Sequence, residues 1–129
     1  MDRPVLELEQ LRLQYPSSNN WTLNGLDLRL EAGETLALVG SSGCGKSTVA
    51  RAVLQLLPPD TLCEGRLRLT GEDPRQLKRA ELRQLRGRAA GLVFQDPMTR
   101  LNPLLSAGGH LIDTLRAHRP DRGAAWHRR

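Results

Sequence analysis

The sequence predicts a mixed α/β fold, in which a small antiparallel sheet precedes a core built around a glycine-rich loop. Three observations predict it. Residues 5–15 alternate apolar with polar, with Leu6, Leu8, Leu11, Leu13 and Tyr15 as the larger apolar set. Residues 35–39, Thr-Leu-Ala-Leu-Val, are nearly continuous in apolar side chains. The loop Gly40-Ser41-Ser42-Gly43-Cys44-Gly45-Lys46-Ser47-Thr48 follows at once, and beyond it Val49, Val53, Leu56 and Leu57 recur at helical spacing. Alternation marks a half-buried strand, a short continuous run marks a strand buried on both faces, and three-to-four spacing marks an amphipathic helix.

The elements follow in order. A turn at Pro16-Ser17-Ser18-Asn19-Asn20 closes the first strand. Leu26, Leu28 and Leu30 then alternate with Asp27 and Arg29 as a second strand, and Ala32-Gly33-Glu34 turns the chain again. After the buried strand and the loop comes a helix, stopped by Pro58-Pro59. Residues 66–70 alternate once more, with Leu67 and Leu69 on one face. Asp73 as cap and Pro74 in the first turn start a helix expected to reach Arg86. Residues 91–95, Gly-Leu-Val-Phe-Gln, read as a second buried strand, and Leu111, Ile112, Leu115 and His118 share one helical face. The chain thus divides into an antiparallel part (1–33), a core (34–103) and the start of a helical part (104–129).

Composition narrows the classes. Hydrophobic residues at 39% and charged residues at 26% suit an ordinary globular chain. No apolar run approaches the roughly 20 residues that span a bilayer, and residues 1–4 lack the apolar stretch of a signal peptide. A cytoplasmic location is expected. Cys44 and Cys63 are too few for a disulfide framework or a zinc site and are expected to be reduced. The net charge of +5 raises a nucleic-acid role. The arginines are scattered, however, and aromatic residues at 3% leave little to stack on bases, so no nucleic-acid partner is expected.

The chemistry sits in the loop. Gly40, Gly45, Lys46 and Ser47 satisfy the pattern G-x-x-x-x-G-K-[ST]. Glycines let the backbone approach phosphate oxygens, successive N–H groups form an anion-binding nest, and the following helix adds its positive end. Lys46 brings a full charge to the β and γ phosphates, and the Ser47 hydroxyl is suited to ligate Mg²⁺. The chance of the pattern in a chain this short is on the order of one in a hundred, and strand-loop-helix context strengthens it further. ATP with Mg²⁺ is the expected ligand. The side chain of Cys44 is expected to point away from the phosphates.

A second motif narrows the family. The segment Val93-Phe94-Gln95-Asp96-Pro97-Met98-Thr99-Arg100-Leu101-Asn102-Pro103 resembles the glutamine loop of ABC transporter ATP-binding subunits. More narrowly, it is similar to the oligopeptide, dipeptide and nickel import group, whose pattern is Q-D-P-M-T-x-L-N-P. The resemblance covers nearly the whole chain. It implies that Gln95 reaches Mg²⁺ and the attacking water, and that the loop through Asn102 touches the membrane subunits. It implies that Tyr15 stacks on adenine, the other reading of Tyr15 being a core aromatic at a strand end. Thr48 would support the α-phosphate. Two positions depart from the pattern: Ser41 stands where the family often has Glu, and Arg100 where it usually has Ser.

The resemblance also implies parts that these residues do not contain: a signature motif, an Asp-Glu strand and a switch His. Leu105-Ser106-Ala107-Gly108-Gly109-His110 looks like a signature but lies too soon after Gln95 and has an extra residue before its glycine pair. His110, His118 and His127 read as surface histidines. The expected partners are transmembrane permease subunits, a second ATP-binding subunit (the same or different), and a C-terminal half supplied as a separate chain. The expected location is the cytoplasmic face of the membrane. Lys46 and Gln95 are the candidate catalytic residues, and weak nucleotide binding with little turnover is expected of the chain alone. The alternatives are a non-hydrolysing nucleotide-binding module and a different P-loop enzyme. A guanine-selecting N-K-x-D is absent, which weighs against a GTPase.

Overall fold

The leucine alternation at the start of the chain becomes the middle strand of a sheet. The computed structural model describes residues 4–118. Strands β1 (Leu6–Gln14), β2 (Leu23–Leu30) and β3 (Leu62–Leu69) form one antiparallel sheet in the order β2-β1-β3. Three α-helices follow the chain: α1 (Lys46–Val53), α2 (Arg79–Ala89) and α3 (Ala107–His118). Two compact units are present, Met1–Gly91 and Leu92–Arg129. The histidine reading at His127 lies outside the described residues.

The apolar frame of β1 slips by one residue, from Leu6 and Leu8 to Leu11 and Leu13, and a β-bulge explains it. Leu8 pairs with Leu28 and Leu67, whereas Leu11 pairs with Leu26. The extra residue sends Glu9 and Gln10 outward and keeps Leu8 and Leu11 both buried. Gln10 takes φ 48°. Its N–H and its side-chain amide each donate to the Asp27 carboxylate at 2.6 Å, which satisfies the backbone group the bulge leaves unpaired. On the other side Gly65 (φ +86°) makes room, since a Cβ there would overlap the Gln10 carbonyl.

One apolar layer joins the sheet to α1. Leu8, Leu11, Leu13, Leu23, Leu67 and Leu69 face Val49, Ala52 and Val53, with Leu85 of α2 completing the cluster. A buried leucine contributes about 1.5–3 kcal/mol, an exposed ion pair at most about 1. The leucine layer therefore outweighs surface pairs such as Arg66–Glu9, 3.0 Å apart across β1 and β3. Helix α1 stops earlier than its apolar spacing suggests, because Gln55 turns left-handed at φ 53°. Arg86 of α2 caps that end, donating to the Leu54 and Gln55 carbonyls at 2.7 Å each.

The helix expected from Asp73 to Arg86 is broken in two. Asp73 does cap a turn, but it is a short 3-10 turn, Pro74–Gln76, after which Leu77 is extended. Leu77 packs against the core, and Glu81 accepts from the Lys78 N–H at 2.8 Å to start α2. Arg75 holds the Asp73 carboxylate at 2.6 Å and the Gly65 carbonyl at 3.0 Å, tying the turn to β3.

Two expected strands are absent. Residues 35–39 have no strand pairing, with Val39 85% exposed, and residues 91–95 likewise, with Val93 92% exposed. A strand exists through its inter-strand hydrogen bonds, and among the described residues no segment pairs with either run. In the second unit, α3 buries none of its residues, and its expected apolar face is open at Leu111 and Leu115. No helix among the described residues is long and apolar enough to cross a membrane.

The Asp73–Arg75 pair generates a pH prediction. The Arg75 hydrogen bond holds the Asp73 carboxyl below its ordinary value. A depressed folded pKa adds stability above the unfolded pKa, about 3.9, and that stability is lost as pH falls through the folded value. Urea unfolding should find Asp73→Asn less stable than the parent at pH 7 by about 1–3 kcal/mol. The gap should close under strongly acidic conditions. A gap independent of pH would contradict the assignment.

Candidate functional site

Residues 40–48 sit where the sheet ends and α1 begins. Gly45 is the left-handed N-cap of α1, at φ 98° and ψ 5°. It is pressed against the start of β2: a Cβ there would lie 2.7 Å from Leu23 Cδ2 and 3.1 Å from the Thr22 carbonyl. Only glycine meets both the φ and the contact. The sheet thus sets the position of the loop through Leu23, a residue that the alternation at 26–30 did not include.

The Lys46 ammonium folds back over the loop. It donates to the Gly40 carbonyl at 2.7 Å and the Ser41 carbonyl at 2.6 Å, and touches Cys44 Sγ at 3.5 Å. Among the described residues no carboxylate pairs with it. The Cys44 thiol lies over Gly40, where a Cβ would come within 2.5 Å of Sγ, and beside the Lys46 ammonium. The side chain lies within the loop because Gly40 leaves the space that any larger residue would fill.

The site suits a polyanion. Helix α1 has no side-chain cap and no acidic residue in its first turn, so its leading N–H groups meet no anionic protein group there. The Lys46 ammonium, with no carboxylate partner among the described residues, lies beside them. A phosphate would set full negative charge against the Lys46 ammonium, whose present acceptors are neutral carbonyls. Among the described residues no cluster of three or more His, Cys, Asp or Glu could hold a metal alone. The Ser47 hydroxyl is exposed beside Lys46 in the first turn of α1.

Tyr15 and Thr48 are brought together, a contact that the sequence pattern did not signal. Tyr15 follows β1 directly and packs partly buried against the core. Its hydroxyl lies 3.1 Å from Thr48 Oγ1 in the first turn of α1. Ser41, Ser42 and Gly43 are exposed.

Gln95 lies in the second unit and is exposed. Beyond it the chain forms successive turns. Thr99 donates to the Asp96 carbonyl at 3.0 Å, and Arg100 places its guanidinium 4.8 Å from the Phe94 ring centre. Arg100 is therefore engaged inside its own segment. His110 bonds the Asn102 carbonyl at 3.1 Å, and Ser106 caps α3 through the Gly109 N–H. The glycine pair at 108–109 is thus the first turn of a helix.

Comparison with known proteins gives a consistent picture. The ABC transporter family model matches residues 23–127. The probable D,D-dipeptide transport ATP-binding protein DdpD of Escherichia coli K12 is 40% identical over 124 residues, 93% of this chain and 38% of that protein. The oligopeptide transport ATP-binding protein OppD of Bacillus subtilis is 35% identical over 118 residues, 88% of this chain and 33% of its own length. The dipeptide transport ATP-binding protein DppD of Bacillus subtilis is 36% identical over 119 residues, 89% of this chain and 36% of that protein. The chain spans about a third of the length of these relatives.

Two outcomes follow from the loop geometry. Gly45→Ala should lower stability by about 1–2 kcal/mol or more in urea unfolding, from the left-handed backbone alone. In a Cys63→Ser background, N-ethylmaleimide on Cys44 should weaken Mg·ATP binding, because the adduct fills the space over Gly40. Unchanged affinity after complete modification would contradict the placement of the thiol.

Proposed function

The chain belongs to the ABC transporter family, and from that membership we propose that loop 40–48 binds Mg·ATP. The observation that carries this reading is Lys46. Its ammonium is held over the loop by two carbonyls, beside the uncapped start of α1, with no carboxylate among the described residues to neutralise it. A triphosphate replaces those neutral acceptors with charged ones. Gly40, Gly43 and Gly45 let the backbone approach the phosphates. Ser47 ligates Mg²⁺ together with phosphate oxygens, Thr48 supports the α-phosphate, and the Tyr15 ring lies against adenine.

Gln95 takes the role of orienting water and Mg²⁺. A neutral amide can bond both without adding charge. The related subunits then suggest the process: ATP use coupled to uptake of peptides or similar solutes across a membrane. The partners are permease subunits and a second ATP-binding subunit. The chain would work at the cytoplasmic face of the membrane. By itself it binds nucleotide without steady turnover, because the glutamate that activates water in this family is not among its 129 residues. Phosphoryl transfer depends on positioning and on neutralising charge, and Lys46, Ser47 and Gln95 supply only part of that.

Calorimetry with Mg·ATP tests the reading. The chain should bind, and Lys46→Ala should weaken binding about 10- to 100-fold, as expected for a charged hydrogen bond of about 1.5–3 kcal/mol. Equal affinity of parent and variant would overturn the assignment. Steady phosphate release by the pure chain, lost in Lys46→Ala, would overturn the claim that it does not turn over.

A further inference from the structure

We infer that Tyr15 positions the phosphate loop through its hydroxyl, a role separate from any base contact of its ring. The inference rests on the reading of loop 40–48 as a polyphosphate site. Thr48 is only 7% exposed, yet it carries a hydroxyl in the first turn of α1, directly behind the loop. A buried hydroxyl needs a partner. A threonine in a helix ordinarily turns back to the carbonyl four residues earlier, which here belongs to Cys44 inside the loop. Instead Thr48 Oγ1 lies 3.1 Å from the Tyr15 hydroxyl.

Tyr15 is well placed to hold that bond. Its carbonyl accepts from the Ser18 N–H at 3.0 Å, closing the turn after β1. The Gln14 side chain donates to the Ser18 carbonyl at 2.7 Å, and the Thr22 N–H donates to Leu13 at 2.7 Å. The ring packs on the core at its strand end. Tyr15 therefore reaches the loop from the rigid sheet, and its hydroxyl keeps that of Thr48 off the loop backbone. Loss of the Tyr15 hydroxyl frees Thr48 to bond the Cys44 carbonyl and disturbs the loop's N–H groups. Tyr15 is a positioning residue in this account, since it acts on phosphate through Thr48.

Tyr15→Phe separates the two roles, because it keeps the ring and removes only the hydroxyl. Inorganic tripolyphosphate serves as a probe with no base to stack. Calorimetry would compare Mg·ATP and Mg·tripolyphosphate on the parent chain and on Tyr15→Phe, with circular dichroism confirming that each is folded. Tyr15→Phe should weaken both ligands by a similar factor, about fivefold for one neutral hydrogen bond. In a Thr48→Val background the same change should have no further effect. Parental affinity of Tyr15→Phe for tripolyphosphate would overturn the inference. A parent chain that binds neither ligand would overturn the underlying reading of the loop instead.

Discussion

Almost everything in the first unit depends on how α1 lies against the leucine face of the sheet. Val49, Ala52 and Val53 enter a layer formed by leucines from all three strands, each buried leucine contributing about 1.5–3 kcal/mol. Because α1 starts directly after the glycine-rich loop, fixing the helix fixes the loop. Gly45 makes the coupling close, since its α-carbon sits against Leu23 and the Thr22 carbonyl with no room for a side chain. The bulge at Gln10 belongs to the same constraint. Without it Leu11 and Leu13 would face outward, and the layer beneath α1 would lose half of its central strand.

Residues 40–44 and Ser47 are exposed, whereas Gly45 and Thr48 are buried. The loop's anchored end is the one at Gly45 and α1, and Lys46 bonds the Gly40 and Ser41 carbonyls across it. That arrangement is self-satisfied but weak in charge terms, since an ammonium against neutral carbonyls gains less than against phosphate. On the proposed reading, a cation at the start of an uncapped helix is organised before its ligand arrives. Tyr15 extends the organisation backward into the sheet, through the hydroxyl of Thr48.

Much of this was legible in the sequence. The alternating leucines announced β1, β2 and the end of β3, and the G-x-x-x-x-G-K-[ST] spacing located the loop. The segment around Gln95 named the family that the comparisons then showed. The bulge was present as the one-residue slip between Leu8 and Leu11, although alternation alone does not say which residue is extra. What failed did so for physical reasons. Apolar runs at 35–39 and 91–95 have the composition of buried strands, but composition cannot supply a pairing partner. The break at Leu77 was hidden because Asp73-Pro74 starts a 3-10 turn as readily as a longer helix. The Cys44 thiol over Gly40 and the Tyr15–Thr48 bond depend on tertiary placement, and neither leaves a periodic trace.

Amide hydrogen exchange across the chain, with and without saturating Mg·ATP, tests the central claim most directly. If the sheet-anchored loop is the nucleotide site, exchange should slow at Gly43, Gly45, Lys46, Ser47 and Thr48. The already buried strands β1 and β3 should change little. Unaltered exchange throughout residues 40–48 at saturation, with protection elsewhere or nowhere, would contradict the account.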